Sequence, residues 1–539
     1  TYDTSVQSHY QIFNEKESVL SEALLQCKRE IESNHNLVNK IRAKYRIKNT
    51  LGYSLNSFLD YEHPLDIFAH LLVGAEGTLA FISQVTLNTV PDPPLKTTGL
   101  VLFDSVDKTI QALPMLIDAG ADAVELLDDA SLRTVQYLKT QPFDPKIIQT
   151  DMAGLLFEFQ EYNQHSIDKL VKNIPIELQK VGCVLSFGPT KDEATRIQLW
   201  NLRKGLYPTV GAMREKGTSV ITEDLCYHYN DLPEVIKELR IICQKWRYDD
   251  SVIFGHAKEG NLHFAASMDF NSSDGVKRFD GLLKDMAELT VDKFNGSLKA
   301  EHGTGRNMAP FVEYEWGGEL YQIMWKIKQN ADPEGILNPD VLLTKDQKLH
   351  IKNLKPIPIV DDSVDLCVEC GFCEPVCPSA GLSLTPRQRI VIARELRLNE
   401  KDTRINQKKL LEDIDYNSNK TCASDGLCEL MCPVNINTGN FVNTLRKDSH
   451  SKVGNWCVAW IQSHFKFTQS VLRGLITITH WWSKFIGDSI PHMLSKVLNK
   501  ATNRSTPIWN KNLSTPPVSL RASEFKNNID FIYYPSCVG

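Results

Sequence analysis

The sequence predicts an α+β protein with several domains, in which a sheet covered by helices precedes a helical, cysteine-rich region. Strand and helix patterns alternate over residues 95–345, and seven of the 13 cysteines lie between Cys367 and Cys432. Residues 440–500 then have a helical pattern rich in aromatic residues. A chain of 539 residues is also too long for a single hydrophobic core.

Individual elements follow from apolar periodicity and from runs of β-branched and aromatic residues. The candidate strands are residues 99–103, 155–159, 183–187, 252–254 and 262–265, and the candidate helices are residues 106–119, 165–180 and 230–246. Upstream, residues 15–45 have a helical pattern and residues 71–74 resemble a buried strand. Between the cysteine clusters, Thr385-Pro386 predicts the start of a helix.

The composition narrows the range of functions. Hydrophobic residues make up 42% of the chain, charged residues 23%, and the net charge is −6. The absence of a basic block argues against nucleic-acid binding. No apolar run reaches the about 20 residues that a membrane span needs. The tryptophans of the helical region leave two interpretations open, namely peripheral membrane contact and a packed helical core: Trp456, Trp460, Trp481 and Trp482.

Both ends of the sequence indicate an internal piece of a longer protein. The chain begins with Thr1, and residues 531–539 read as a strand that enters a cysteine-bearing turn and stops. Clustered cysteines without a secretory signal indicate metal binding in a reducing compartment, so we expect a cytoplasmic protein, with a peripheral position at the inner membrane as the alternative.

The first cysteine cluster predicts an iron–sulfur site. Cys367, Cys370, Cys373 and Cys377 are followed by a proline and match C-x2-C-x2-C-x3-C-P, the run found in bacterial ferredoxins. Three thiolates at this spacing wrap a loop around one cubane, and the fourth reaches a neighbouring cluster. A zinc knuckle, the alternative, needs only two cysteine pairs.

The second cluster keeps the same frame but has an aspartate at one position: Cys422, Asp425, Cys428 and Cys432. Crossed ligation predicts one 4Fe-4S cluster on Cys367, Cys370, Cys373 and Cys432, and a second on Cys377, Cys422 and Cys428 with Asp425 at its fourth corner. Because a carboxylate is a harder, weaker iron ligand than a thiolate, that corner either binds iron through oxygen or leaves a 3Fe-4S cluster. A simple turn role for Asp425 is the third interpretation.

A second group of candidate residues lies upstream. His256 and His263 flank a glycine-containing turn between two predicted strands, and Glu301 and His302 follow a predicted helix. Two imidazoles and one carboxylate form a reasonable ligand set for a catalytic divalent metal, which leaves His302 as a candidate general base. Arg203 is a candidate clamp for a substrate carboxylate, and a surface salt bridge is its alternative role. Taken singly, each histidine would be an ordinary packed strand residue.

These motifs together resemble one family. The segment Val73-Gly-Ala-Glu-Gly-Thr-Leu79 is similar to the segment that closes the FAD-binding domain of vanillyl-alcohol-oxidase-type (PCMH-type) flavoproteins. Residues 95–345, with Gly-His…Gly-Asn-Leu-His and Glu-His-Gly-Thr-Gly, resemble the C-terminal domain of FAD-linked oxidases such as glycolate oxidase, D-lactate dehydrogenase and D-2-hydroxyglutarate dehydrogenase. With the ferredoxin-like domain, the whole resembles the YdiJ-type flavin plus iron–sulfur D-2-hydroxyacid dehydrogenases.

The resemblance implies roles for particular residues. His256, His263 and Glu301 would bind zinc or manganese, His302 would be the base and Arg203 the carboxylate anchor. The residues expected on the cofactor side are Gly74, Glu76, Gly77, Thr78 and Asn261. The Gly-rich pyrophosphate-binding part of the FAD domain is missing from this sequence, which puts FAD binding by this fragment alone in doubt.

The resemblance also implies a division of the chain into seven segments. They are the C-terminal part of a PCMH-type FAD-binding domain (1–94), the C-terminal substrate and metal domain of an FAD-linked oxidase, with a ferredoxin-like sheet plus helices (95–347), a linker (348–365), a dicluster 4Fe-4S ferredoxin-like domain (366–445), a helical segment (446–500), a second linker (501–525) and the start of a truncated cysteine-rich domain (526–539).

The function expected from the resemblance is FAD-dependent oxidation of a D-2-hydroxy acid, either D-2-hydroxyglutarate or D-lactate, to the 2-oxo acid. Electrons would pass through the iron–sulfur clusters to a quinone or a soluble carrier. A non-catalytic iron–sulfur electron-transfer subunit is the alternative. A metal-dependent hydrolase is a second alternative, but it gives the clusters no role.

Overall fold

Helices alone form the regular structure before the sheet. The computed structural model describes residues 2–137, 142–206, 210–211, 214–399, 407–449, 452–502 and 506–510. The first helices are α1 (Gln7–Lys16), α2 (Ser18–Glu32), α3 (His35–Lys44), α4 (Ser57–Asp60) and α5 (Pro64–Leu71). The helix predicted for residues 15–45 is thus broken, because Asn34 caps α3 by accepting the Asn36 N–H.

The strand predicted for residues 71–74 is wrong, since Leu71 is the last residue of α5 and a turn follows. The His63 side chain accepts the Leu65 N–H, and Pro64 occupies the first helical position. Both features favour a helix start, so local capping outweighs the short apolar run.

A seven-stranded sheet forms the centre of the fold. Its strands are β1 (Leu95–Phe103), β2 (Ala123–Asp128), β3 (Ala153–Glu161), β4 (Leu185–Thr190), β5 (Ser219–Cys226), β6 (Val252–His256) and β7 (Asn261–Met268). The order is β4-β1-β3-β2-β6-β7-β5, and every neighbouring pair is antiparallel. The structure confirms the predicted α+β class, whereas β2 and β5 were not predicted.

Helices lie between these strands and after the last one. They are α6 (Val106–Gln111), α7 (Leu113–Asp118), α8 (Asp129–Arg133), α9 (Gln164–Val181), α10 (Glu193–Lys204), α11 (Leu232–Lys245), α12 (Ser273–Glu288), α13 (Val312–Trp316) and α14 (Gly318–Ala331). Both faces of the sheet are buried: along β1, Val101 and Phe103 belong to one apolar core, and Leu100 and Leu102 to the other.

The cysteine-rich region is mostly loops held by short helices. These are α15 (Pro386–Leu398), α16 (Gln407–Ile414), α17 (Leu427–Met431) and α18 (Thr438–Ser449). The predicted start of α15 is confirmed, because Thr385 and Gln388 form a reciprocal capping box. Residues 1–443 form one compact unit that includes the sheet and both cysteine clusters.

Residues 444–539 form the second unit, whose helices after α18 are α19 (Lys452–Ser463), α20 (Phe465–Ile486) and α21 (Ser489–Ala501). None of the described helices is long and apolar enough to cross a membrane. Trp456 is 67% exposed, Trp460 40%, Trp481 60% and Trp482 46%, so the described part of this unit does not form a packed aromatic core. The predicted cysteine-rich segment 526–539 lies outside the described residues.

Candidate active site

The β6–β7 hairpin positions the two histidines. Phe254 pairs with His263 in the register, so His256 lies one diagonal step away on the same face of the sheet. Gly255 allows the two strands to approach, because a Cβ at this position would lie 2.1 Å from the Asn261 carbonyl oxygen. Gly260 has φ +70° and closes the turn.

Each histidine has a buried carboxylate opposite it on the neighbouring strand. Glu125 of β2 pairs with His256, and its Oε1 lies 2.6 Å from His256 Nδ1. Asp224 of β5 pairs with His263, and its Oδ1 lies 3.6 Å from His263 Nδ1. Since both carboxylates face Nδ1, the Nε2 atoms of the two imidazoles are directed toward the site.

The loop that carries Glu301 and His302 is fixed from the sheet. Asp224 Oδ2 accepts the backbone N–H groups of Ala300, Glu301 and His302 at 3.0, 2.6 and 2.7 Å. Burial alone would raise the pKa of Asp224, but the hydrogen bonds from Glu301 and His302 lower it. Asp224 therefore remains a carboxylate that holds the loop.

The three predicted metal ligands lie close together, with both imidazoles directed toward one oxygen of Glu301. Glu301 Oε1 lies 3.0 Å from His256 Nε2 and 3.5 Å from His263 Nε2. Asp224, His263, Glu301 and His302 also offer ligand atoms that all lie within 4.8 Å of one another. Because both oxygens of Asp224 already accept hydrogen bonds, we regard it as the group that orients the ligands rather than as a ligand.

The donor set fits a divalent cation. Burial lowers the pKa of His263 to about 4, so its imidazole is neutral, as a metal ligand must be. The hydrogen bond to Glu125 raises the pKa of His256. Burial would raise the pKa of Glu301, but Lys48 and His256 lower it. Two nitrogens and one ionised oxygen are common ligands of zinc and manganese.

His302 lies beside the predicted metal ligand His263. Its ring stacks on His263 with the centroids 4.9 Å apart, and the residue is exposed. His302 is thus accessible to a small molecule while its backbone is fixed by Asp224.

Arg203 of α10 also reaches this site. Its Nε donates to Glu125 Oε2 at 2.7 Å, and its guanidinium lies 4.6 Å from the centre of the Phe254 ring. Burial would raise the pKa of Glu125, but His256 and Arg203 lower it. Arg203 therefore forms a salt bridge, but a largely buried one rather than the surface pair that the sequence left as the alternative, and this bridge places it beside the predicted ligand His256.

The residues predicted on the cofactor side divide into two groups. Gly74 and Gly77 have φ +78° and +72°, and no described atom lies within 4 Å of a Cβ built at either, which suits a surface against which a flat ring could lie. Three others are bonded within the protein: Glu76 accepts the N–H groups of Thr304 and Gly305, Thr78 donates to the Ala75 carbonyl, and Asn261 donates to Asp224.

The cysteines line two cavities in the crossed arrangement. One cavity is lined by Cys367, Cys370, Cys373 and Cys432. The other is lined by Cys377, Cys422 and Cys428, together with Asp425. Four sulfurs in the first, and three sulfurs and a carboxylate in the second, are donor sets suited to iron–sulfur clusters.

Sequence reasoning missed Glu125, Asp224 and Lys48. Lys48 Nζ donates to Glu301 Oε2 at 3.0 Å, and the two carboxylates hold the histidines and the loop. The available signal was a carboxylate inside an apolar strand run, as in Val124-Glu-Leu-Leu127. Because burying a charge without a partner is costly, a carboxylate in such a run predicts a hydrogen-bonded or charged partner elsewhere in the fold.

Comparison with known families identifies both regions. Residues 92–342 match the family described as the C-terminal domain of FAD linked oxidases, and residues 363–436 match the 4Fe-4S dicluster domain. The chain is similar to the glycolate oxidase subunit GlcD of Bacillus subtilis, with 27% identity over 52% of this chain and 58% of that protein.

Two further relatives are named dehydrogenases. The D-2-hydroxyglutarate dehydrogenase of Haemophilus influenzae is 25% identical over 72% of this chain and 44% of that protein. The mitochondrial D-lactate dehydrogenase [cytochrome] 1 of Saccharomyces cerevisiae is 24% identical over 56% and 48%. Among solved structures, p-cresol methylhydroxylase matches with a TM-score of 0.36 and 14% identity over 47% of this chain and 53% of that one. The chain spans about half the length of the curated relatives it matches.

Replacing Glu125 by glutamine should weaken metal binding. Glu125→Gln keeps the side-chain shape but removes the charge behind His256, and such partners orient a ligating imidazole and raise its basicity. We expect the affinity for Zn²⁺ to fall about 10- to 100-fold, measured by chelator competition on protein with assembled clusters. Glu161→Gln, at the end of β3, is the control and should bind Zn²⁺ normally. Unchanged affinity in Glu125→Gln would argue against His256 as a ligand.

Proposed function

The chain joins a C-terminal domain of FAD-linked oxidases to a 4Fe-4S dicluster domain, and from this premise we propose that it oxidises a 2-hydroxy acid and passes the electrons to iron–sulfur clusters. The convergence of His256, His263 and Glu301 beside His302 is the observation that carries the proposal. A non-catalytic electron-transfer subunit would have no need for this arrangement.

The substrate that we propose is a D-2-hydroxy acid, with D-2-hydroxyglutarate and D-lactate as the first candidates. The named relatives support this class, because two of them are a D-2-hydroxyglutarate dehydrogenase and a D-lactate dehydrogenase. Arg203 supports it independently, since a guanidinium pairs bidentately with a carboxylate. Glu125 holds that guanidinium next to His256, where the carboxylate of a bound hydroxy acid would lie.

The reaction removes a proton from the hydroxyl and a hydride from the adjacent carbon. A zinc or manganese ion on His256, His263 and Glu301 would lower the hydroxyl pKa, FAD beside Gly74 and Gly77 would accept the hydride, and two clusters would take its electrons singly. His302 takes the hydroxyl proton, because its ring is exposed and its backbone is fixed by Asp224. Arg203 orients the carboxylate so that the hydroxyl faces His302.

Loss of the base should abolish substrate-dependent reduction. We expect full-length His302→Ala, purified without oxygen, to lose about 10²- to 10⁴-fold in kcat with D-lactate or D-2-hydroxyglutarate, followed by dye reduction. Glycolate and the L-isomers test the substrate class, and His165→Ala, an exposed histidine on α9, is the control. No turnover by wild-type protein that holds flavin and clusters would favour the electron-transfer subunit.

For the second cluster we propose that Asp425 stands at the fourth corner. Asp425 lines the cavity of Cys377, Cys422 and Cys428, although its Oδ1 also accepts the Leu427 N–H at 3.1 Å, as a turn residue would. The remaining carboxylate oxygen can serve as a weak iron ligand.

A cysteine at this corner should therefore change the second cluster. We expect Asp425→Cys to give a stable 4Fe-4S cluster with an altered EPR spectrum, because a thiolate binds iron more strongly than a carboxylate. Asp413→Cys, an exposed position on α16, is the matched control and should leave the spectrum as it is. An unchanged spectrum in Asp425→Cys would leave Asp425 as a turn residue only.

For the acceptor side we propose a quinone reached through peripheral contact with an anionic membrane. One face of α20 exposes an apolar stripe at helical spacing: Phe467, Val471, Leu475, Ile478, Trp482 and Phe485. Residues 452–501 also carry six Lys or Arg and only one acidic residue, Asp488. An apolar face with surrounding cations is typical of helices that lie in the membrane interface.

Such contact should depend on lipid charge. We expect the full-length protein to sediment with vesicles that contain phosphatidylglycerol, to bind neutral vesicles weakly, and to be released as salt is raised. Trp482→Ser should reduce the bound fraction, whereas Thr477→Ser, an exposed polar position of α20, should not. If the protein bound neither the anionic nor the neutral vesicles, a soluble carrier would be favoured as the acceptor.

A further inference from the structure

The loop of the first cysteine cluster is held by a buried arginine from the sheet domain. Arg214 lies between α10 and β5 and is 3% exposed. Two of its donors order its own segment through the carbonyls of Gly211 and Thr218. Its other donors bind three consecutive carbonyls, of Asp365 at 2.5 Å, Leu366 at 2.9 Å and Cys367 at 3.2 Å. A guanidinium has five N–H groups in a rigid fork, so this cage fixes the loop in one orientation.

The residues around Arg214 also lie close to the first cysteine cluster. A Cβ at Gly211 would lie 1.9 Å from Val368 Cγ1, so only glycine lets the segment approach the residue after Cys367. Ser219, the first residue of β5, donates its hydroxyl to the Lys355 carbonyl at 3.2 Å. The segment that leads into β5 therefore contacts the cluster loop, and the first residue of β5 holds the chain just before that loop.

A second buried guanidinium, that of Arg394, also donates to the Cys367 carbonyl. Arg394 of α15 donates to the Cys367 carbonyl at 2.9 Å and to Glu369 at 2.7 Å. Glu369 also accepts from Lys355 at 2.9 Å. The charge of Arg394 is thus offset by a carboxylate. Arg214 directs its N–H groups to five backbone carbonyl oxygens, three of which belong to the cluster loop.

We propose that Arg214 is a positioning residue for electron transfer, which locks the cluster of Cys367, Cys370, Cys373 and Cys432 onto the sheet domain and raises its midpoint potential. Reduction adds one electron to the cluster without forming or breaking a bond. Because the added charge is negative, a buried cation nearby stabilises the reduced form. This cluster then receives electrons first, because its loop is hydrogen-bonded to the segment that leads into β5, the strand of Asp224.

The test is an EPR-monitored reductive titration of the full-length protein with dithionite, after iron and sulfide analysis shows that both clusters are present. Arg214→Gln removes the charge and most of the cage, and Arg214→Lys keeps the charge but loses the fork. Lys216→Gln is the matched control, because it removes a cation from the same segment that pairs with the exposed Asp362. Because exposed ion pairs are screened by water, Lys216 should have little effect on the midpoint potential of the cluster.

We expect Arg214→Gln to lower the midpoint potential of the first cluster and leave the second unchanged, and Lys216→Gln to shift neither. Arg214→Lys should keep the potential near that of the wild type while substrate-driven reduction of the cluster slows. Equal potentials in wild type and Arg214→Gln, or equal shifts in Arg214→Lys and Arg214→Gln, would overturn the proposal.

Should Arg214→Gln fail to assemble its clusters, the comparison of Arg214→Lys with wild type still decides, since a lowered potential with the charge retained would contradict the role of the charge. The inference rests on the proposed function only for the direction of electron flow. The titration uses a chemical reductant, so it gives an answer even if no hydroxy acid is oxidised, and the two failures remain distinguishable.

Discussion

The candidate active site depends on one buried carboxylate, that of Asp224. It lies on an edge strand, faces His263 across the β5–β7 pair, and accepts three successive backbone N–H groups from residues 300–302. Asn261 donates to the same carboxylate. A single ionised side chain thus relates the hairpin with both histidines to the loop with Glu301 and His302. Charge-assisted hydrogen bonds of this kind are about twice as strong as neutral ones.

The same loop is also held by two loops that precede the sheet, one between α3 and α4 and one after α5. Glu76 accepts the backbone N–H groups of Thr304 and Gly305, and Thr304 Oγ1 accepts the Gly52 N–H while donating to the Thr50 carbonyl. The segment expected to lie beside FAD is therefore connected to the loop of the candidate base by direct hydrogen bonds. The positions expected on the cofactor side and the candidate base therefore belong to one hydrogen-bonded network.

The loop of the first cysteine cluster is also held by charged side chains, but these are positive, whereas those that hold the loop of His302 are negative. Arg214 and Arg394 donate to backbone carbonyls around Cys367. Asp224 and Glu76 instead accept backbone N–H groups around His302. Loops expose backbone groups that no sheet or helix satisfies. In both places charged side chains satisfy them, of which Asp224, Arg214 and Arg394 are buried, and each loop with candidate site residues gains one defined conformation.

The sequence by itself determined what is local: the spacing of the cysteines, the Thr385 helix cap, five of the seven described strands and the motifs of His256, His263 and Glu301, because these features depend on neighbours along the chain. The tertiary structure decided the rest. Strands β2 and β5 escaped prediction because Glu125 and Asp224 interrupt their apolar patterns. Glu125 meets His256 131 residues later, and Arg214 meets Cys367 153 residues later. A buried charge is tolerated only where its partner lies, and that partner is brought to it by strand order and domain packing, which no local pattern contains.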